Sequence, residues 1–276
     1  GETAFRLVSG AATRWKDLAR LKRHRDRLAP DTSVADVTSA EAVIGVMGPM
    51  SRGLLQSLTS ADLSSNAFPF ATSTRIDVGM AEVRATRMSF VGELGFELSI
   101  PAEFAEAVYE NLIEAGAAFG LAHAGHLALN ACRLEKGYCH WGHDIGPDDT
   151  PLEAGLSFAV AWEKCSGFIG REALLAERER GLARRLMMFA VEGAGPLLIH
   201  DEPIYRDGVL VGSTTSGGRG FRVNETLCMA YIGCARGTPK RDMLEGRYQI
   251  SVAGERFTLR PLARPPYDPD AIRLRG

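Results

Sequence analysis

Cys139, His140, His143 and Asp144 fall within one short run, and Glu97 stands alone in an alternating segment. Thiol, imidazole and carboxylate are the donor types of a metal site, but this spacing is poor for a rigid one. Nor does any spacing support a Cys–His–Asp triad. The run Gly212-Ser213-Thr214-Thr215-Ser216-Gly217-Gly218-Arg219-Gly220 is rich in glycine. It lacks both the Gly-Lys-Ser/Thr ending of a phosphate loop and the Gly-x-Gly-x-x-Gly form expected before a helix, and it reads as a barrel turn. Glu97 has the plainest chemistry. A carboxylate offers two acceptors side by side, which suits a ligand edge bearing two parallel N–H donors.

The elements that would position these groups follow from periodicity. Leu127, Ala131 and Leu134 recur at helical spacing, and Gly137 supplies the left-handed residue that ends the helix. The loop after it carries Tyr138, His140, Trp141 and His143, and turns at Gly146-Pro147-Asp148-Asp149. Loops of this length and composition form binding walls or anchor themselves in a core. Glu97 lies in Phe96–Ile100, entered by the tight turn Val91–Gly95. Phe96, Leu98 and Ile100 share one face, and Glu97 and Ser99 the other. Strands are also expected at Phe5–Val8, Val43–Met47 (buried), Arg75–Val78 and Glu82–Phe90. Gly48-Pro49 should launch a short helix with proline in its first turn. Helices are expected from Thr13, with a strongly basic outer face, from Pro101, and over Ile169–Arg180 ending at Gly181. Beyond residue 182 the pattern changes to six short strands, with Asp207-Gly208 as a hairpin signal. The whole reads as an α+β domain over 1–182 followed by a β-barrel over 183–276.

The chain has 276 residues, a net charge of −2, and 45% hydrophobic and 24% charged residues. It is long enough for more than one packed unit, and no global field favours nucleic acid or an anionic membrane. No run is apolar for the length of a membrane span, so no membrane partner is expected. Five cysteines without a Cys-x-x-Cys pair argue for a reducing compartment, the cytoplasm or, in a eukaryote, the mitochondrial matrix.

Several blocks together resemble the tetrahydrofolate-binding aminomethyltransferase family. This family includes the T-protein of glycine cleavage and the folate-binding portions of dimethylglycine and sarcosine dehydrogenases. The blocks are Val46–Pro49, Gly92–Leu98, Arg133–Gly137 with Trp141-Gly142, Thr150–Leu156, Phe168–Leu174 and Arg260–Leu262. The resemblance implies α+β lobes, one of them ferredoxin-like, then a C-terminal β-barrel, with tetrahydrofolate as cofactor. It makes Glu97 the residue that grips the amino edge of the pterin, with Leu98 and Ser99 beside it. Phe90 and Phe158 match aromatic contacts that are commonly tyrosine, and Tyr267 matches a tyrosine near the folate tail. Leu129 stands where glycine-cleavage enzymes carry arginine, and Trp141-Gly142 is more like the dehydrogenase branch. In that branch a separate flavin domain or subunit oxidises an N-methyl amine, and the folate domain captures the one-carbon unit.

The family's acidic residue near the reacting folate nitrogen lies upstream of the part matched by Phe5–Val8, so no catalytic residue is assigned. The resemblance also implies that the lobe's first paired strands lie upstream, which would leave sheet edges open or covered by another chain. Three readings compete: folate-dependent one-carbon transfer, a non-catalytic folate-binding or assembly module, and a demethylase acting on an O- or S-methyl substrate.

Overall fold

The structure, a computed structural model, describes residues 3–276. Helix α1 spans Arg14–Leu28, and strand β1 spans Glu41–Met47. Helix α2 follows at Ser51–Gln56, then β2 at Ser73–Val78, β3 at Ala81–Thr86 and β4 at Gly95–Pro101. Helices α3 (Ala105–Gly116), α4 (His126–Glu135) and α5 (Arg171–Arg180) lead to the second half. There β5 (Arg184–Val191), β6 (Pro203–Arg206), β7 (Val209–Gly220), β8 (Glu225–Gly233), β9 (Tyr248–Val252) and β10 (Glu255–Leu262) form a closed barrel. Two short helices complete the chain, α6 at Lys240–Leu244 and α7 at Ile272–Arg275.

The first four strands make an antiparallel sheet in the order β1-β4-β3-β2. Phe96, Leu98 and Ile100 are buried in one cluster with Leu54 and Leu55 of α2 and Val108 and Leu112 of α3. One sheet face is therefore roofed by helices, as the alternation of β4 requires. The other face carries Gly45, Glu97, Thr86 and Ser73 as one row across the four strands. The barrel closes in the order β10-β5-β8-β7-β6-β9. Met187, Phe189 and Val191 point into its core with Ile232, Tyr248 and Ile250. Met188 and Ala190 point outward and are covered with Leu227 and Met229 by Leu134 of α4. This third cluster seals the seam between α4 and the barrel, which is why β5 is apolar on both faces.

Local expectations were met at most elements, with these departures: the strand expected over Glu82–Phe90 ends at Thr86, and four others follow. Phe5–Val8 forms no strand, and Phe5, Leu7 and Val8 are exposed; an alternating segment without a partner has nothing to bond its backbone groups. The expected buried strand at Val43–Met47 is the sheet-edge strand β1, with Val43 61% exposed. Pro49 precedes α2 instead of lying in its first turn. The glycine-rich run is not a turn but most of β7, which shifts register between Thr214 and Ser216. Gly212, Gly217 and Gly220 are there for close packing: a Cβ on Gly212, for example, would stand 2.0 Å from the Tyr231 carbonyl oxygen. The Asp207-Gly208 turn does join β6 to β7, with both residues at positive φ.

Candidate functional site

Three separate segments meet at the end of α4. The helix closes in a Schellman arrangement: Tyr138 N–H bonds to the Arg133 carbonyl at 2.9 Å, Gly137 N–H to the Leu134 carbonyl at 2.9 Å, and Gly137 has φ 68°. Arg133, Glu135 and Lys136 are all buried, and each holds a different segment.

Arg133 holds the loop and the barrel. Its guanidinium bonds to the Asp144 carboxylate at 2.5 Å, the Tyr138 carbonyl at 3.1 Å and the Ser216 hydroxyl at 2.6 Å. Asp144 also accepts from the His140 N–H at 2.8 Å and the Thr215 hydroxyl at 2.6 Å. A buried ion pair with its remaining lone pairs filled in this way is rigid and sensitive to loss of either partner. Asp144 is thereby committed to structure. The neighbouring His140 and His143 rings lie 4.7 Å apart on the loop surface. Burial, then His143 and Arg133, hold the His140 imidazole below its usual value. Burial and the Asp144 charge push the Cys139 thiol up to about 11, so it rests as an unreactive thiol. No group of three His, Cys, Asp or Glu among the described residues is arranged to hold a metal ion.

Glu135 holds the turn between β7 and β8. It accepts the Arg222 N–H at 2.6 Å and the Val223 N–H at 3.2 Å, and pairs with the Arg222 side chain. That guanidinium lies 3.6 Å over the Tyr267 ring and 3.5 Å from Glu93. The Tyr267 hydroxyl donates to Glu93. Burial and the bond to Glu93 raise the Tyr267 phenol; for Arg222 burial is the largest single influence, but the bond to Glu135 together with the nearby Cys132, Glu135 and Tyr267 raises the guanidinium overall. Lys136 holds the C-terminal segment through Asp268 at 2.9 Å. The bonds from Lys136 and from the Arg273 and Leu274 N–H groups keep Asp268 below the usual carboxylate value despite burial.

The expected ligand contacts divide into two places. Glu97 is half-buried on the open face of the sheet, and no hydrogen bond or ion pair reaches its carboxylate among the described residues. Its neighbour on β1 is Gly45, so one flank carries no side chain. Ser99 shares the face and accepts from Arg6 at 3.0 Å. Leu98 points the other way, into the core; only its backbone can serve a ligand beside Glu97. Phe90 lies where the turn meets α4, its ring stacked on Tyr138 at 5.9 Å and 16°. Tyr267 stands at the same junction through Glu93. Phe158 is not gathered with them: it is 86% exposed on a single turn at Ser157–Ala159. Neither a cleft of about 880 Å³ along Trp162–Glu172 nor one of about 640 Å³ beside His143, Arg184 and Tyr231 includes Glu97. Glu93 and Arg222 were missed as site residues. Glu93 sits inside a quoted block, whereas Arg222 has no local signal.

An α+β lobe whose helix end is keyed into a six-stranded barrel defines a class, and the comparisons agree on it. The chain belongs to the glycine cleavage T-protein family: residues 1–164 match the GCVT N-terminal domain and 184–268 the glycine cleavage T-protein C-terminal barrel domain. Among relatives, it is 41% identical to mitochondrial sarcosine dehydrogenase of Mus musculus over 85% of this chain and 26% of that protein. It is 39% identical to 4-methylaminobutanoate oxidase (formaldehyde-forming) of Paenarthrobacter nicotinovorans, over 100% of this chain and 32% of that protein. Aminomethyltransferase of Halothermothrix orenii is 37% identical over 87% of this chain and 65% of its own length. The chain thus spans about a quarter to a third of the dehydrogenase and oxidase relatives. Aminomethyltransferase T of the Bartonella henselae glycine cleavage system shares the fold, with a TM-score of 0.77 at 23% identity over 94% of this chain and 68% of that one.

Proposed function

We propose that this chain binds tetrahydrofolate and serves one-carbon transfer as the folate-binding part of an enzyme that oxidises an N-methyl amine. The observation that carries the reading is Glu97: a half-buried carboxylate without a partner, flanked by glycine, in a chain of this family. Such a group is costly to desolvate unless a ligand satisfies it, and the amino edge of a reduced pterin has the matching pair of donors. Bound tetrahydrofolate would supply the nitrogens that capture a unit at the oxidation level of formaldehyde. The chain's own residues would bind and orient it. Glu97 would accept from the pterin, Ser99 could add one hydrogen bond, and the Phe90–Tyr138 pair offers an apolar wall. Phe90 stacks as tyrosine would but gives up one hydroxyl bond. Positioning alone is a large part of such catalysis, because the two reactants must meet in register.

The relatives' names place sarcosine and 4-methylaminobutanoate among the amines oxidised by similar proteins, which favours an N-methyl amine as the source and a flavin-dependent dehydrogenase domain or subunit as the partner. No described helix is long and apolar enough to cross a membrane. Calorimetric titration with tetrahydrofolate tests the site. Glu97→Gln keeps the shape but turns one acceptor into a donor facing a donor, and should weaken binding by about 2 kcal/mol. Equal affinities would remove Glu97 from the site. Formation of methylenetetrahydrofolate from formaldehyde faster than the spontaneous reaction separates a transferase from a non-catalytic binder.

A further inference from the structure

Helix α1 buries none of its residues, and its outer face is a row of cations. Arg20, Arg23 and Arg27 recur every three or four positions, all exposed, and none forms an ion pair among the described residues. Helix α3 carries the opposite pattern. Glu106, Glu110 and Glu114 recur every four positions, all exposed and likewise without an ion pair, and α3 contains no Lys or Arg. Exposed charges are ordinarily satisfied by water; the notable feature here is that two rows of opposite sign and similar length lie open on one molecule.

We propose that α1 of one copy docks on α3 of a second copy of this chain. The occupant is chosen by charge and by length. Along a helix rising about 1.5 Å per residue, the arginines stand about 6 and 10.5 Å from Arg27, and the glutamates about 6 and 12 Å from Glu106. Laid antiparallel, Arg27 meets Glu106, Arg23 meets Glu110 and Arg20 meets Glu114, each within about 1.5 Å of level. Exposed ion pairs are individually weak, so the contact depends on three of them forming together. The proposal sets the two copies about a two-fold axis, so that the α1–α3 contact is made twice and the assembly closes as a dimer and does not continue head to tail. Contacts of this kind are screened by salt, so the dimer belongs to low ionic strength.

Sedimentation velocity on the whole chain tests this. At ~0.05 M salt the protein should sediment as a dimer that dissociates at ~0.5 M, where the Debye length is only a few ångströms. Arg20→Glu with Arg23→Glu should give a monomer at both salts, and so should Glu110→Lys with Glu114→Lys, each folded by circular dichroism. Mixing the two variants puts reversed α1 against reversed α3 and should restore a one-to-one heterodimer. A wild-type monomer at low salt, a dimer indifferent to salt or to either reversal, or a mixture that stays monomeric would each overturn the proposal.

Discussion

The Arg133–Asp144 pair is the residue on which the loop depends. Removing the carboxylate in Asp144→Ala strands a buried guanidinium, and the loss should be about 3–5 kcal/mol by urea denaturation. A second expectation concerns acid. His140 is held below its usual value in the fold, so the unfolded chain binds the extra proton first. Its contribution is complete above the unfolded value near 6.5 and is lost as pH falls through the lower folded one. Between pH 7 and pH 5 the wild type should lose thermal midpoint faster than His140→Gln. Parallel curves would exclude the imidazole. The types of Cys139, His140, His143 and Asp144 were plain in the sequence, but their roles were not. Asp144 is spoken for by Arg133, Thr215 and a backbone amide, and the residues that claim it lie as far as 71 positions away.

At the scale of elements, alternation was the most readable feature. It gave the buried Phe96, Leu98 and Ile100 and the opposite Glu97 and Ser99, because period two leaves a strand no freedom about which face is which. It misled at Phe5–Val8, since a pattern records what a segment could do and not whether a partner is present. The glycine run misled for a different reason. Glycine marks turns, but also places where backbones touch, and β7 is the second kind. The two uses can be told apart by measurement. Gly208→Ala, at φ 84° with open space around it, should cost about 1 kcal/mol. Gly212→Ala, against the Tyr231 carbonyl, should cost about 3 kcal/mol as overpacking of a backbone contact that has nowhere to go. Equal losses in thermal or urea unfolding would show that β7 can yield there.

Over the whole molecule, lobe and barrel are joined by buried charges as much as by the apolar seam around Leu134 and Met188. Lys136 reaches Asp268, Glu135 reaches Arg222, and Arg87 donates to the carbonyl of Arg275. We expect Lys136→Met to loosen the C-terminal segment first: calorimetry should show the single unfolding peak broaden or divide, with exchange rising in residues 264–276. A uniform shift of one sharp peak would mean that the junction is no weaker than either part. The succession of α+β and barrel was legible because helical and strand periods differ. The junction was not, because Lys136 and Asp268 are 132 positions apart.

The end of α4 also sets where the chain can be cut and rejoined. Arg133, Glu135 and Lys136 aim at three different targets because each helix position turns about 100° from the last. One inserted residue there would swing all three grips away together. New termini, reporter insertions or circular permutants should therefore fail between residues 130 and 138, and succeed at the open Asp207-Gly208 bend, where Asp207 holds the exposed Arg247 and no buried charge depends on the phase of the backbone.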